Sequence, residues 1–89
     1  MPVTHLHKSL HLSEKEIIQL KIEKPVNVYL LDNANYHLFM QDRPYTFHGK
    51  EIDTSPFFMN PPYPGDWELV IFSNTPGEKL EAEITIIEK

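Results

Sequence analysis

Apolar and polar residues alternate along most of this chain with a period of two, broken at short intervals by proline, glycine and asparagine. That period places successive side chains on opposite faces of a strand and predicts a sheet-rich fold. Residues 3–6 alternate first: a strand there sets Val3, His5 and His7 on one face and Thr4, Leu6 and Lys8 on the other, as on a sheet edge. Ser13 and Glu16 have the spacing of a helix capping box, but a strand-like run begins at once over 16–23, with Ile18, Leu20 and Ile22 in one row. The segment is therefore a turn into a strand. Pro25 ends that run, and 26–31 forms the next, with Val26, Val28 and Leu30 on one face and Tyr29 and Leu31 on the other. Apolar residues on both faces predict a strand covered on both sides.

Asp32 and Asn33 are good helix N-caps, and over 34–41 Tyr36, Phe39 and Met40 fall at helical spacing, which predicts a short helix laid on the sheet. Arg43-Pro44 ends it, because the residue before a proline is pushed out of the helical region. Residues 45–47 are expected as a brief strand reaching Gly49, and 52–59 as another, interrupted at Pro56. A Pro-Pro-Tyr-Pro-Gly-Asp turn then feeds Trp67 into a strand over 67–72, and Asn74-Thr75-Pro76-Gly77 connects it to a last strand over 80–87. Trp67, Leu69 and Ile71 form one apolar row, and Leu80, Ala82, Ile84 and Ile86 the other. The pattern predicts an all-β fold, a small sandwich or jelly-roll-like barrel of about seven short strands with one short inserted helix. It forms a single domain over residues 1–89, without repeat, linker or low-complexity segment.

Composition narrows the function classes. The absence of cysteine removes disulfide scaffolds, thiolate zinc sites and cysteine nucleophiles together. A formal net charge of -5 and a single arginine, Arg43, argue against nucleic acid, whose phosphates need a clustered basic face. The first residues lack a basic segment followed by an apolar run, and no apolar stretch is long enough to span a bilayer. A cytoplasmic chain with no membrane partner is expected.

The run Asn27-Val28-Tyr29-Leu30-Leu31-Asp32 is followed by Asn35-Tyr36, Phe39, Arg43, Tyr45, Phe47, Gly49, Ser55-Pro56 and Pro64-Gly65-Asp66-Trp67. In order and approximate spacing this series resembles the bacterial domain-of-unknown-function family 1883 across most of the chain. The resemblance implies a small β-sandwich-like fold, no assigned reaction, and a sensing or interaction role. The chain departs from the family pattern at Asp66, where a histidine is usual, and at Lys50, which replaces a second glycine.

Candidate chemistry is sparse. The aromatic group Tyr36, Phe39, Tyr45 and Phe47, beside Arg43, offers ring faces for a sugar or flat ligand and one guanidinium for a carboxylate or phosphate. The same rings would serve equally as core. Tyr63, set among prolines, would present an aromatic loop to a partner or simply rigidify the turn before Trp67. His5 and His7, with His11 nearby, lie two apart in a strand, close enough to share a metal ion if His48 or a carboxylate supplies a third ligand. A cupin-like order is not met, since no histidine follows Trp67. No nucleophile, base and orienting group can be matched, and the aspartates lack calcium-loop spacing.

The sequence thus points to a non-catalytic recognition or interaction module without a cofactor, whose partner is a protein or a small polar ligand. The alternative is a metal-binding protein or metal-dependent enzyme built on His5 and His7. A structural domain that self-associates is a third possibility.

Overall fold

A computed structural model describes residues 5–75, 77 and 79–88. Val3 and Thr4, assigned above to the first strand, and Pro76 of the last turn lie outside the described residues. Seven strands and one helix follow in the order β1 (His5–Leu12), β2 (Glu16–Ile22), β3 (Val26–Leu31), α1 (Asn33–Met40), β4 (His48–Ile52), β5 (Phe57–Met59), β6 (Gly65–Phe72) and β7 (Ala82–Glu88). They form two antiparallel sheets, one ordered β1-β6-β3-β4 and the other β5-β2-β7. The expected all-β sandwich with one inserted helix is what the chain adopts.

The alternation of the sequence explains the layering. Leu10 and Leu12 from β1, Val26, Val28 and Leu30 from β3, and Trp67, Leu69 and Ile71 from β6 face the second sheet, where they meet Ile18 and Leu20. The opposite face of the four-stranded sheet has its own small core: Leu31, Phe39 and Val70, flanked by Tyr29, Tyr36, Met40, Tyr45 and Phe72. Apolar residues on both faces of β3 and β6 therefore mark a middle layer, with the second sheet below and α1 above.

Four local differences from the sequence-based expectation have physical causes. Strand β1 runs on to Leu12, because Leu10 and Leu12 continue the inward row past Lys8 and pair opposite Trp67 and Gly65. Residues 45–47 form no strand: the Thr46 N–H donates to the Asn35 side-chain oxygen at 2.9 Å, and Tyr45 and Phe47 turn their rings onto Tyr29. The stretch 52–59 is divided, with Ile52 closing β4 in one sheet and Phe57 opening β5 in the other. Pro56, which has no N–H to give a ladder, sits in the crossing, where the Ser55 Oγ accepts the Ile22 N–H at 3.1 Å. Lastly, α1 begins at Asn33, one residue earlier than expected, because Asp32 is its cap.

Both helix ends are closed. The Asp32 Oδ1 accepts the Asn35 backbone N–H at 2.8 Å and the Asn35 side-chain amide at 3.0 Å. At the other end Asp42 takes φ 55, the Asp42 N–H donates to Phe39 O at 3.2 Å and the Arg43 N–H to Leu38 O at 3.0 Å, the two bonds of a Schellman motif. The Ser13–Glu16 spacing is used without a helix. The Ser13 N–H donates to the Glu16 carboxylate at 2.9 Å and the Glu16 N–H to Ser13 O at 3.2 Å, closing the β1–β2 turn.

The Asn27 side chain, buried on the outer face of β3, donates to the Asn74 side-chain oxygen at 2.9 Å, and Asn74 donates in turn to Glu51 at 2.7 Å. This relay fastens the segment after β6 to β3 and β4. No helix among the described residues is long and apolar enough to cross a membrane.

Candidate functional site

The outer face of the four-stranded sheet carries nearly all the chemistry of the chain. On β1, period two brings His5, His7, Ser9 and His11 to this face; on β6 it brings Asp66, Glu68, Val70 and Phe72. Antiparallel pairing sets His5 opposite Phe72, His7 opposite Val70, Ser9 opposite Glu68 and His11 opposite Asp66. The face is thus aromatic at one end and polar at the other, with α1 lying across it.

At the aromatic end the rings mainly serve one another. Phe39 is buried and meets His5 and Tyr45 edge-on, each at 5.3 Å. Tyr29 stacks on Phe47 at 3.9 Å and meets Phe72 edge-on at 4.9 Å. Tyr36 lies nearly parallel to Phe39 at 6.3 Å and stacks closely on His7, 4.3 Å between centroids. Of the candidate binding residues, Tyr36, Phe39, Tyr45 and Phe47 therefore come together, but as packing of helix and loop on the sheet. Phe47 keeps an exposed face and Arg43 is exposed just beyond the helix. Tyr63 lies elsewhere, half exposed over Trp67 at 4.7 Å, and its carbonyl accepts the indole N–H at 3.0 Å.

At the polar end the side chains converge. The Ser9 hydroxyl donates to Glu68 Oε1 at 2.8 Å, His7 Nε2 lies 3.5 Å from Glu68 Oε2, and His11 Nδ1 lies 2.7 Å from Asp66 Oδ1. Glu68 is nearly buried, and its two oxygens are engaged by different β1 residues. Burial first, and then the negative charge of Glu68, holds the Tyr36 phenol above its ordinary value of 10.0. Burial and then Tyr29 do the same to Tyr45. Beside this cluster opens a cleft of about 400 Å³, lined by the polar residues Ser9, His11, Asn33, Asp66 and Glu68 together with Leu10 and Trp67. A smaller hollow is lined by Glu23, Lys24, Lys79 and Glu81, where Lys79 and Glu81 already pair at 2.9 Å.

The cluster contains serine, histidine and a carboxylate in the wrong order for nucleophilic catalysis. An activated serine needs an imidazole against its hydroxyl, with the acid behind the imidazole. Here the carboxylate stands between Ser9 and His7, so the hydroxyl proton is held by Glu68 and the imidazole has no path to it.

The metal candidates are not brought together. His5 and His7 share the outer face, but His48 pairs opposite the inward-facing Leu30 and meets the edge of Trp67 at 5.8 Å, so the sheet separates it from them. His7 is turned to Glu68 and Tyr36, and His5 to Phe39. Among the described residues no group of three histidine, cysteine, aspartate or glutamate side chains is arranged to hold a metal ion.

Ser9, Asn33, Asp66 and Glu68 were not singled out from the sequence as parts of a site. The signal was present: extending the alternation from His7 through His11 places Ser9 in the histidine row, and Asp66 and Glu68 lie two apart opposite it.

In comparison with known proteins, the whole chain, residues 1–89, matches the family model described as Domain of unknown function (DUF1883). No curated protein and no solved structure matches it.

Proposed function

Because the chain belongs to the DUF1883 family, which carries no assigned reaction, its role has to be inferred from its surface, and we propose that it is a non-catalytic recognition module. Its ligand seat is the cleft between the polar ends of β1 and β6 and the start of α1. The observation that carries this reading is that Ser9, His11, Asn33, Asp66 and Glu68 line one hollow over the paired ends of β1 and β6. A concave site with a few convergent polar groups is the usual form of a small-ligand or side-chain pocket. The lining offers two carboxylates, an exposed imidazole and an amide, so it suits a ligand rich in hydrogen-bond donors, either a small polar molecule or a polar side chain of a protein partner. The net charge of -5 and the single arginine speak against nucleic acid.

The test is a thermal-shift screen of amines, sugars, amides and nucleotides, followed by NMR titration of whatever raises the midpoint. Chemical-shift changes centred on Ser9, His11, Asn33 and Asp66, and lost in an Asn33→Ala, His11→Ala double variant that still folds, are expected. Changes confined to Phe47, Arg43 or Tyr63, or a turnover that one point mutation abolishes, would overturn the assignment.

A further inference from the structure

The four strands that border the two sheets are β1, β4, β5 and β7, and an open edge invites another strand unless something blunts it. Three of them are blunted. Lys8 of β1 stands in register with the inward-facing Leu69, and Lys50 of β4 with the inward-facing Val28, so each carries a charge on the core side of its edge. β5 spans only Phe57–Met59 and is flanked by Pro56 and Pro61. β7 differs: its 7 residues, Ala82–Glu88, contain no proline, glycine or lysine, and Ala82, Ile84 and Ile86 form an unbroken apolar row on the core side.

We propose that this edge receives a second copy of the same chain, β7 pairing antiparallel with β7 about a two-fold axis at Thr85. The register argues for that occupant. Centred on Thr85, the pairing opposes Thr85 to Thr85, Ile84 to Ile86, Glu83 to Ile87 and Ala82 to Glu88, so the whole strand is used and no like charges meet. Glu83 keeps Lys21 of β2 as its neighbour within its own sheet. The two three-stranded sheets become one continuous sheet, and the apolar rows of Ile84 and Ile86 run across the seam. The cleft on the other sheet takes no part, so this inference is independent of the ligand site.

Sedimentation equilibrium of the full chain from micromolar to millimolar concentration tests it. The apparent mass should rise toward twice the monomer value. Thr85→Lys and Thr85→Glu, which each set like charges face to face at the axis, should stay monomeric with an unchanged fold. An equimolar mixture of the two should recover the doubled mass. A wild-type chain that remains monomeric throughout, or a dimer indifferent to both substitutions, would overturn the proposal. Should either variant fail to fold, amide exchange on the wild type decides: alternate β7 amides, those facing away from β2, must become protected as concentration rises, and their failure to do so would overturn it equally.

Discussion

His7 on the edge strand and Tyr36 on the helix lie ring against ring, 4.3 Å between centroids and 15° from parallel. The pair joins the border of the sheet to the layer above it, and a carboxylate oxygen of Glu68 lies 3.5 Å from His7 Nε2. Stacked aromatic pairs contribute about 0.5–1.5 kcal/mol beyond simple burial. His7→Ala should therefore lower stability by about 1 kcal/mol, and Tyr36→Ala by more, because Tyr36 also flanks the core of Leu31, Phe39 and Val70. Urea titration of both variants checks the order. Equal losses would show that the stacking, and not the flanking contact, carries the contribution of Tyr36.

The raised phenol of Tyr36 gives this region a pH dependence of known sign. Burial and Glu68 favour its neutral form in the folded chain, so the folded value lies above the ordinary 10.0. The resulting stability is fully present below pH 10 and is lost as pH climbs through the folded value. Tyr45, raised by burial and Tyr29, acts in the same direction. Alkaline unfolding followed by phenolate absorbance should begin above pH 10, and Tyr36→Phe should move its onset upward. An onset unmoved in both Tyr36→Phe and Tyr45→Phe would show that neither phenol controls the transition.

Asp32 and Asn33 were equal candidates for the helix cap in the sequence, and the structure separates them. Asp32→Ala removes the acceptor for the Asn35 N–H and should cost about 1–2 kcal/mol. Asn33 is exposed inside the helix, so Asn33→Ala should change stability by less than about 0.5 kcal/mol. Thermal melts of the two single variants distinguish them, and a larger loss for Asn33 would reassign the cap.

Gly49 takes φ 155, and a Cβ built on it would stand 1.9 Å from the Val28 carbonyl oxygen. No side-chain rotation relieves a clash with backbone. Gly49→Ala should cost about 3 kcal/mol or more and separate β4 from β3 locally. An alanine variant with the wild-type midpoint would mean that β4 can shift without loss.

Trp67 and Arg43 give the widest contrast. Trp67 is 2% exposed and its indole N–H is satisfied by Tyr63, so truncation to alanine should cost about 3–5 kcal/mol. Arg43 is exposed, and its backbone N–H, not its side chain, closes the helix, so Arg43→Ala should change the midpoint little, by about 0.5 kcal/mol at most. A strongly destabilised Arg43→Ala would show that the guanidinium is structural.

Much of the scaffold was legible because burial imposes a period. Val26, Val28 and Leu30, or Trp67, Leu69 and Ile71, could hardly lie otherwise than in a row facing a core. What escaped was set by side-chain to backbone bonds and by pairing between distant strands. Thr46 belongs to a loop because Asn35 takes its N–H, and nothing in Tyr45-Thr46-Phe47 announces that. Ser9 belongs with Glu68 only because β1 lies against β6 in one register out of many, 59 positions apart in sequence. The cleft beside them was invisible for the same reason, whereas the aromatic residues attracted notice by their type and pack mostly against one another.

Strands β3 and β4 are adjacent and antiparallel, with Leu30 opposite His48, a relationship that a tight hairpin turn alone could make. Residues 32–47 are in that sense a hairpin loop grown into a layer of its own, helix and aromatic tail together. It follows that the sandwich and this upper storey are separable in principle. A shortened chain that joins β3 to β4 directly would keep every strand pairing but leave Leu31 and Val70 uncovered and remove Asn33 from the cleft. The storey, and not the sheets beneath it, is thus what covers Leu31 and Val70.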